Sequence, residues 1–146
     1  MTRYTRHVGS DTDTVEMAHA VRRRVFIAEQ GVDESVEMDG KDSGATHVVL
    51  TTEREPVATA RLRFPEPSTV KIERVAVRPE CRGEGLGCRV MDVAESAATE
   101  RGATDAVLHA QLRVREFYER LGYERFGEVF DEAGIPHVGM RKRLVA

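Results

Sequence analysis

The stretch Val75-Ala76-Val77-Arg78-Pro79-Glu80-Cys81-Arg82-Gly83-Glu84-Gly85-Leu86-Gly87 decides how the chain is read. It begins as an apolar strand, breaks at Pro79 and turns through three glycines. It then runs into a helix marked by Leu86, Val90, Val93 and Ala97. A glycine-rich turn feeding a helix leaves several backbone N–H groups without intrahelical partners, and these donors together with the helix dipole favour an anion. Glycines at alternate positions let the backbone wrap a phosphate with no Cβ in the way. Arg82 can add a charge-assisted hydrogen bond. The turn therefore reads as a pyrophosphate cradle, against the plainer alternative of a turn that only caps a helix. Two better-known cradles do not fit. In a dinucleotide fingerprint, G-x-G-x-x-G, the third glycine would fall one position later than Gly87, and no Gly-Lys-Ser/Thr of a P-loop occurs.

Around this turn the chain has 146 residues, enough for one domain spanning 1–146 with one core. Its net charge of −3 argues against a nucleic-acid footprint. Cys81 and Cys88 form no C-x-x-C, so zinc and disulfide scaffolds have no support and a reducing cytoplasm is the simplest compartment. The N-terminus leads into no apolar signal segment, and no run approaches the ~18 apolar residues of a membrane span.

Taken in order, Tyr4 to Val8 reads as a first strand, and Ser10, Asp11 or Asp13 caps a helix through Val15, Ala18, Val21, Arg22, Val25 and Phe26. Arg22-Arg23-Arg24 interrupts that apolar face, as a solvated helix end would. Glu29 to Asp42 is a loop biased to acid by Glu29, Asp33, Glu34, Glu37, Asp39 and Asp42. An EF-hand does not fit it: with Gly40 at position six, positions one and twelve are Ser35 and Thr46 instead of carboxylates. The loop is either solvated or an acidic rim that attracts a cationic substrate. His47–Thr52 and Val57–Phe64 form a hairpin through Glu53-Arg54-Glu55-Pro56, and Val70–Val77 is the fourth strand, which enters the cradle. The helix behind the cradle ends at Gly102, Ala106–Ala110 is a fifth strand, and Val114, Phe117, Tyr118 and Leu121 recur at helical spacing before Gly122. Tyr123–Phe130, a turn over Asp131–Pro136, and His137–Leu144 close the chain. The predicted architecture is a mixed α/β sheet with helices on its faces.

Three ordered pieces resemble the GNAT family of N-acetyltransferases: the strand Ile72–Val77 followed by Pro79, the R-x-x-G-x-G run from Arg82 to Gly87 opening a helix, and Phe117-Tyr118-Glu119-Arg120-Leu121-Gly122-Tyr123, similar to F-Y-x-x-x-G-[FY]. Val25-Phe26-Ile27-Ala28-Glu29-Gln30-Gly31-Val32, Leu108-His109-Ala110-Gln111 and Gly134-Ile135-Pro136-His137 extend the similarity to the ElaA-like branch. The resemblance implies a single-domain, mostly antiparallel central sheet with helices on both faces. It also implies a cofactor cleft where the fourth strand splays from the fifth. Acetyl-CoA would be the cofactor, with no metal. Its pyrophosphate would lie on Arg82, Gly83, Glu84, Gly85, Leu86 and Gly87. Its pantetheine arm would run along Val75, Ala76 and Val77 as an added strand. The partner would be a small-molecule or peptide amine, cationic if the acidic rim steers it; a homodimer is left open.

The implied activity is direct acetyl transfer to a primary amine in a ternary complex. A lysine-like amine is mostly protonated near neutral pH, so something must accept its proton. Tyr118, with an ordinary pKa of about 10, is the candidate donor to the departing sulfur, and the alternative is a packed aromatic. Glu73 is the candidate base, because simple alternation puts it on the face of Val75 and Val77, but a salt bridge explains it as well. Glu29, His109 and Gln111 match the branch signature and are expected to line the acceptor pocket. His47 and His137 carry weaker signals. A non-catalytic acyl-CoA sensor is the competing function.

Overall fold

The computed structural model describes residues 3–53 and 55–144; Met1, Thr2 and Arg54, read above within the N-terminus and the hairpin turn, lie outside the described residues. The chain runs β1 (Thr5–Gly9), α1 (Thr12–Arg22), a π-helical continuation (Arg23–Glu29), a short α2 (Glu34–Glu37), β2 (Thr46–Thr52), β3 (Glu55–Glu66) and β4 (Thr69–Val77). A 3₁₀ turn (Pro79–Cys81) leads to α3 (Leu86–Glu100). Then follow β5 (Asp105–Gln111), a second 3₁₀ turn (Leu112–Val114), α4 (Arg115–Arg120), β6 (Glu124–Glu132) and β7 (Ile135–Arg143). Local signals set the boundaries. Asp11 caps α1 by accepting the Thr14 N–H at 3.2 Å, and its other oxygen accepts the Thr14 hydroxyl at 2.8 Å. Gly102, at φ +94°, supplies the left-handed turn just past α3.

One seven-stranded sheet is ordered β1-β2-β3-β4-β5-β7-β6. Every neighbouring pair is antiparallel except β4 and β5. Those two are parallel and paired only from Thr69 to Ile72 against Asp105 to Leu108. Beyond Ile72 they diverge, leaving the C-terminal half of β4 with one free edge. The divergence begins beside a bulge. Thr59 stands opposite Ala76 and Arg61 opposite Glu73, so two steps along β3 match three along β4. Arg74 sits at the irregularity with φ +53°. An extra residue bends a strand and raises its local twist, which turns β4 away from β5.

The faces are distinct. On one, Leu86, Val90, Met91, Ala94 and Ala98 of α3 pack on Val48, Leu50, Ala58, Ala60, Leu62, Ile72 and Leu108, with Val75 and Val77 at the margin. The stripe on α3 therefore includes Met91, Ala94 and Ala98, while Val93 and Ala97, marked in the sequence reading, stay partly exposed. Each large apolar side chain removed from water here contributes about 1.5–3 kcal/mol. On the other face Val21 and Val25 pack on Ala76.

Candidate active site

A cleft of about 1030 Å³ opens where β4 leaves β5. Its walls are Val75–Val77, the glycine turn, Tyr118, His109 and Gln111 from β5, Glu29 and Gln30 from the end of the π-helical segment, and Glu132 and His137 from the β6–β7 hairpin. All the candidate site residues except Glu84 thus line one cleft, although they come from five segments; His47 lies outside it.

At the turn, Gly83 and Gly85 take φ +86° and +78°, left-handed values that side-chain-bearing residues adopt at a cost. The first intrahelical bond of α3 runs from the Arg89 N–H to the Gly85 carbonyl, so the N–H groups of Leu86, Gly87 and Cys88 precede the ladder. A Cβ at Gly83 or Gly85 would meet nothing within 4 Å, which leaves the concave side open to a ligand. Gly87 has a different constraint: a Cβ there would meet the Phe117 ring at 3.0 Å, so this glycine lets α4 close on α3.

The family resemblance gives Arg82 to the cofactor and Glu29 to the acceptor pocket, yet the two form a bidentate pair at 2.6 and 2.7 Å, and Arg82 Nε also donates to the Val77 carbonyl. The pair ties the end of the π-helical segment to the rim of the cradle. The hydrogen bond from Arg82 holds the Glu29 carboxyl below its ordinary range. Gln111 donates to Gln30 at 3.0 Å and makes a second tie between β5 and the same helical end. The π-bulge itself has no signature in the apolar periodicity; the Gln30 N–H bonding back to the Val25 carbonyl reveals it.

Tyr118 is 7% exposed and packs edge-to-face on Phe117 and Tyr123, with centroids 4.9 and 6.0 Å away. Burial pushes its phenol well above the ordinary value, so it stays protonated at any working pH.

Glu73 corrects an expectation. The bulge at Arg74 resets the alternation, so Glu73 shares the face of Ala76, and Val75 and Val77 turn to the α3 side. Its carboxylate lies between Arg61 (2.6 Å) and Arg63 (2.6 Å), with Lys71 at 3.3 Å. Burial alone would raise its pKa, but Arg63, Arg61 and Lys71 outweigh burial and bring it down to about 2. A carboxylate that acidic, with both oxygens engaged, is a poor proton acceptor at neutral pH.

The acidic loop is also not what composition suggested. Glu37, with its side chain 1% exposed, is held by Arg22, which is equally buried and therefore no part of a solvated helix end. Asp42 takes both Arg22 and Arg61, and Asp39 takes Arg61 and Arg74. These arginines hold Asp39 and Asp42 far below the ordinary range against the opposing effect of burial. Three of the loop's six carboxylates, Glu37, Asp39 and Asp42, are thus spent on arginines, fastening the loop to the sheet. His47 belongs to the same support: fully buried, it donates to the Asp42 carbonyl at 3.1 Å.

Sequence reasoning missed Glu132, which it left in the turn before His137. His109 Nδ1 donates to Glu132 Oε1 at 2.8 Å, and His137 Nε2 stands 3.8 Å from the other oxygen. The available signal was hairpin spacing, since Glu132 faces Ile135 across the β6–β7 turn. Among the described residues no group of three His, Cys, Asp or Glu side chains could hold a metal ion, and no helix is long and apolar enough to cross a membrane.

The profile of the Acetyltransferase (GNAT) domain matches residues 11–144. The uncharacterized protein YyaT of Bacillus subtilis is 38% identical over 127 residues, covering 85% of each chain. Among solved structures, an acyl-CoA N-acyltransferase from Pseudomonas aeruginosa superposes with a TM-score of 0.84 at 31% identity, over 97% of this chain and 99% of that one. Escherichia coli ElaA superposes with a TM-score of 0.84 at 26% identity, over 98% of this chain and all of that one.

Proposed function

The chain belongs to the GNAT acetyltransferase family, in its ElaA-like branch, and is an acyltransferase; we propose that it transfers an acetyl group from acetyl-CoA to a primary amine, directly, within a ternary complex. The observation that carries this reading is the free edge of β4 from Val75 to Val77, which runs straight toward an open glycine cradle and is faced by a buried, protonated tyrosine.

The parts divide the work. The unbonded N–H groups of Leu86, Gly87 and Cys88, with the turn at Gly83 and Gly85, fit a pyrophosphate, because they present aligned donors at the positive end of a fifteen-residue helix with no Cβ in the way. Val75, Ala76 and Val77 offer main-chain groups to an extended amide-bearing arm. Bound acetyl-CoA supplies the activated acyl group. Backbone N–H groups of the same strand edge can support the oxyanion that develops at the carbonyl. Tyr118 holds its proton until a thiolate needs it, and burial makes the phenol a donor that does not ionise in advance. Glu73 is assigned to the support of the loop, since its charge is consumed by Arg61 and Arg63.

Release of free CoA from acetyl-CoA, followed across a panel of primary amines, tests the proposal. Amine-dependent release supports it. Tight acetyl-CoA binding without release for any amine would favour a sensor and overturn the transferase reading of this chain.

A further inference from the structure

We propose that His109 is the general base that deprotonates the acceptor amine, and that Glu132 is its positioning partner. The inference rests on the transferase reading above and adds the residue that it lacks. His109 lies on β5, whose buried alternation of Ala106, Leu108 and Ala110 packs against α3, so His109 and Gln111 share the opposite face, toward the π-helical segment. That face forms one wall of the cleft, and 34% of the His109 side chain is exposed there.

The hydrogen bonding fixes the tautomer. A carboxylate only accepts, so the 2.8 Å contact places the proton on His109 Nδ1. The neutral ring then carries its lone pair on Nε2, and among the described residues no protein group hydrogen-bonds that atom. Glu132 stays ionised: the hydrogen bond from the His109 Nδ1–H lowers its pKa against opposing burial, and the nearby Lys71 charge lowers it further. A fixed carboxylate behind an imidazole both orients the ring and stabilises the imidazolium that forms.

Glu132 is committed to His109. His137 Nδ1 donates to the Ile135 carbonyl at 2.6 Å, and its Nε2 remains 3.8 Å from Glu132, beyond a hydrogen bond. Phe130 buttresses the arrangement, edge-to-face with His109 at 5.0 Å and stacked on His137 at 6.1 Å. The charged and titratable groups facing His109 are therefore Glu132 from β6, His137 from β7 and Lys71 from β4, with Glu29 across the cleft.

The step balances. The acceptor ammonium gives one proton to His109 Nε2, and the freed nitrogen lone pair forms the C–N bond to the acyl carbon. The C–S bond breaks with its electron pair leaving on sulfur. Sulfur takes the Tyr118 proton, and the second proton shed by the new amide nitrogen restores the phenol. The imidazolium returns its proton to solvent.

The test compares wild type, His109→Gln and Glu132→Gln on an amine that the wild type acetylates, with acetyl-CoA affinity measured by calorimetry in parallel. His109→Gln should lower kcat by about 100-fold or more. Its rate should rise with pH until the amine itself loses its proton, replacing the wild-type limb set by the imidazole. Acetyl-CoA affinity should stay within about two-fold. Glu132→Gln should move the pH limb and lower kcat by about ten-fold or more, with ~10⁴-fold the upper scale for turning the carboxylate behind a general-base histidine into an amide. Wild-type kcat and an unchanged pH profile in His109→Gln would overturn the assignment and leave the transferase reading intact. Failure of wild type itself to bind acetyl-CoA or turn over would instead overturn that reading. If His109→Gln loses acetyl-CoA affinity as well, Glu132→Gln decides, and an unmoved pH limb there overturns the proposal.

Discussion

Replacing Glu73 with Gln distinguishes a carboxylate that supports the fold from one that moves protons. The side chain is 12% exposed and contacts Arg61, Arg63 and Lys71. Its pKa falls from an ordinary 4.5 to about 2. At ~1.4 kcal/mol per unit, the ionised form contributes about 3 kcal/mol to folding at neutral pH. Because the folded value is the lower one, this contribution is complete above about pH 4.5 and is lost as pH falls through about 2. Glu73→Gln should therefore unfold about 3 kcal/mol more easily than wild type at pH 7, and the gap should narrow to roughly 1 kcal/mol at pH 3. Arg61 keeps Asp39 and Asp42 in the variant, so the domain should still fold. Urea denaturation followed by circular dichroism at pH 7, 5 and 3 measures the gap directly. A difference under ~1 kcal/mol at pH 7, or one that does not shrink on acidification, would refute the linkage argument. Undiminished stability together with a collapsed kcat would return Glu73 to the role of base.

Gly85→Asp should weaken acetyl-CoA binding by about ten-fold or more, through like charge at the anion site and restricted access to the N–H groups; unchanged calorimetric affinity in a folded variant would remove the cradle assignment. Tyr118→Phe should cut the chemical rate by about 100-fold while leaving acetyl-CoA affinity within about two-fold, and equal turnover would exclude the phenol from the mechanism. Glu37→Gln should lower Tm by roughly 10 °C, because it leaves the buried Arg22 short of a partner worth about 3 kcal/mol. Asp33→Asn combined with Glu34→Gln should leave kcat/KM for a cationic amine within about two-fold, since Asp33 caps α2 and Glu34 pairs with Arg23; a large loss at low salt would revive electrostatic steering by this loop.

The difference between Glu73 and the glycine turn shows where sequence reading holds. The turn could be read because its chemistry is local: Pro79, three alternate glycines and an apolar helical stripe within a few residues already dictate a strand–turn–helix with free donors. Glu73 could not, because its face depends on an uninterrupted strand count, and one bulge at Arg74 moves it to the other side of the sheet. Arg22 and the acidic loop were misread for a related reason. Composition shows how many charges a segment carries, but not which of them fold inward against arginines of a distant strand.

The sequence alone determined the order of the seven strands and of helices α1, α3 and α4, and the left-handed glycine turn ahead of α3, since periodicity, caps and turn residues act over a few positions. Only the tertiary structure decided that β4 parts from β5 after Ile72, that Arg82 clasps Glu29, that Arg61 and Arg63 claim Glu73, and that His109 is backed by Glu132. Those pairings are set by sheet order and register across tens of residues, as in Gln30 meeting Gln111 across 81 positions. Side-chain chemistry at such range is fixed by where the backbone turns, and no local pattern encodes that.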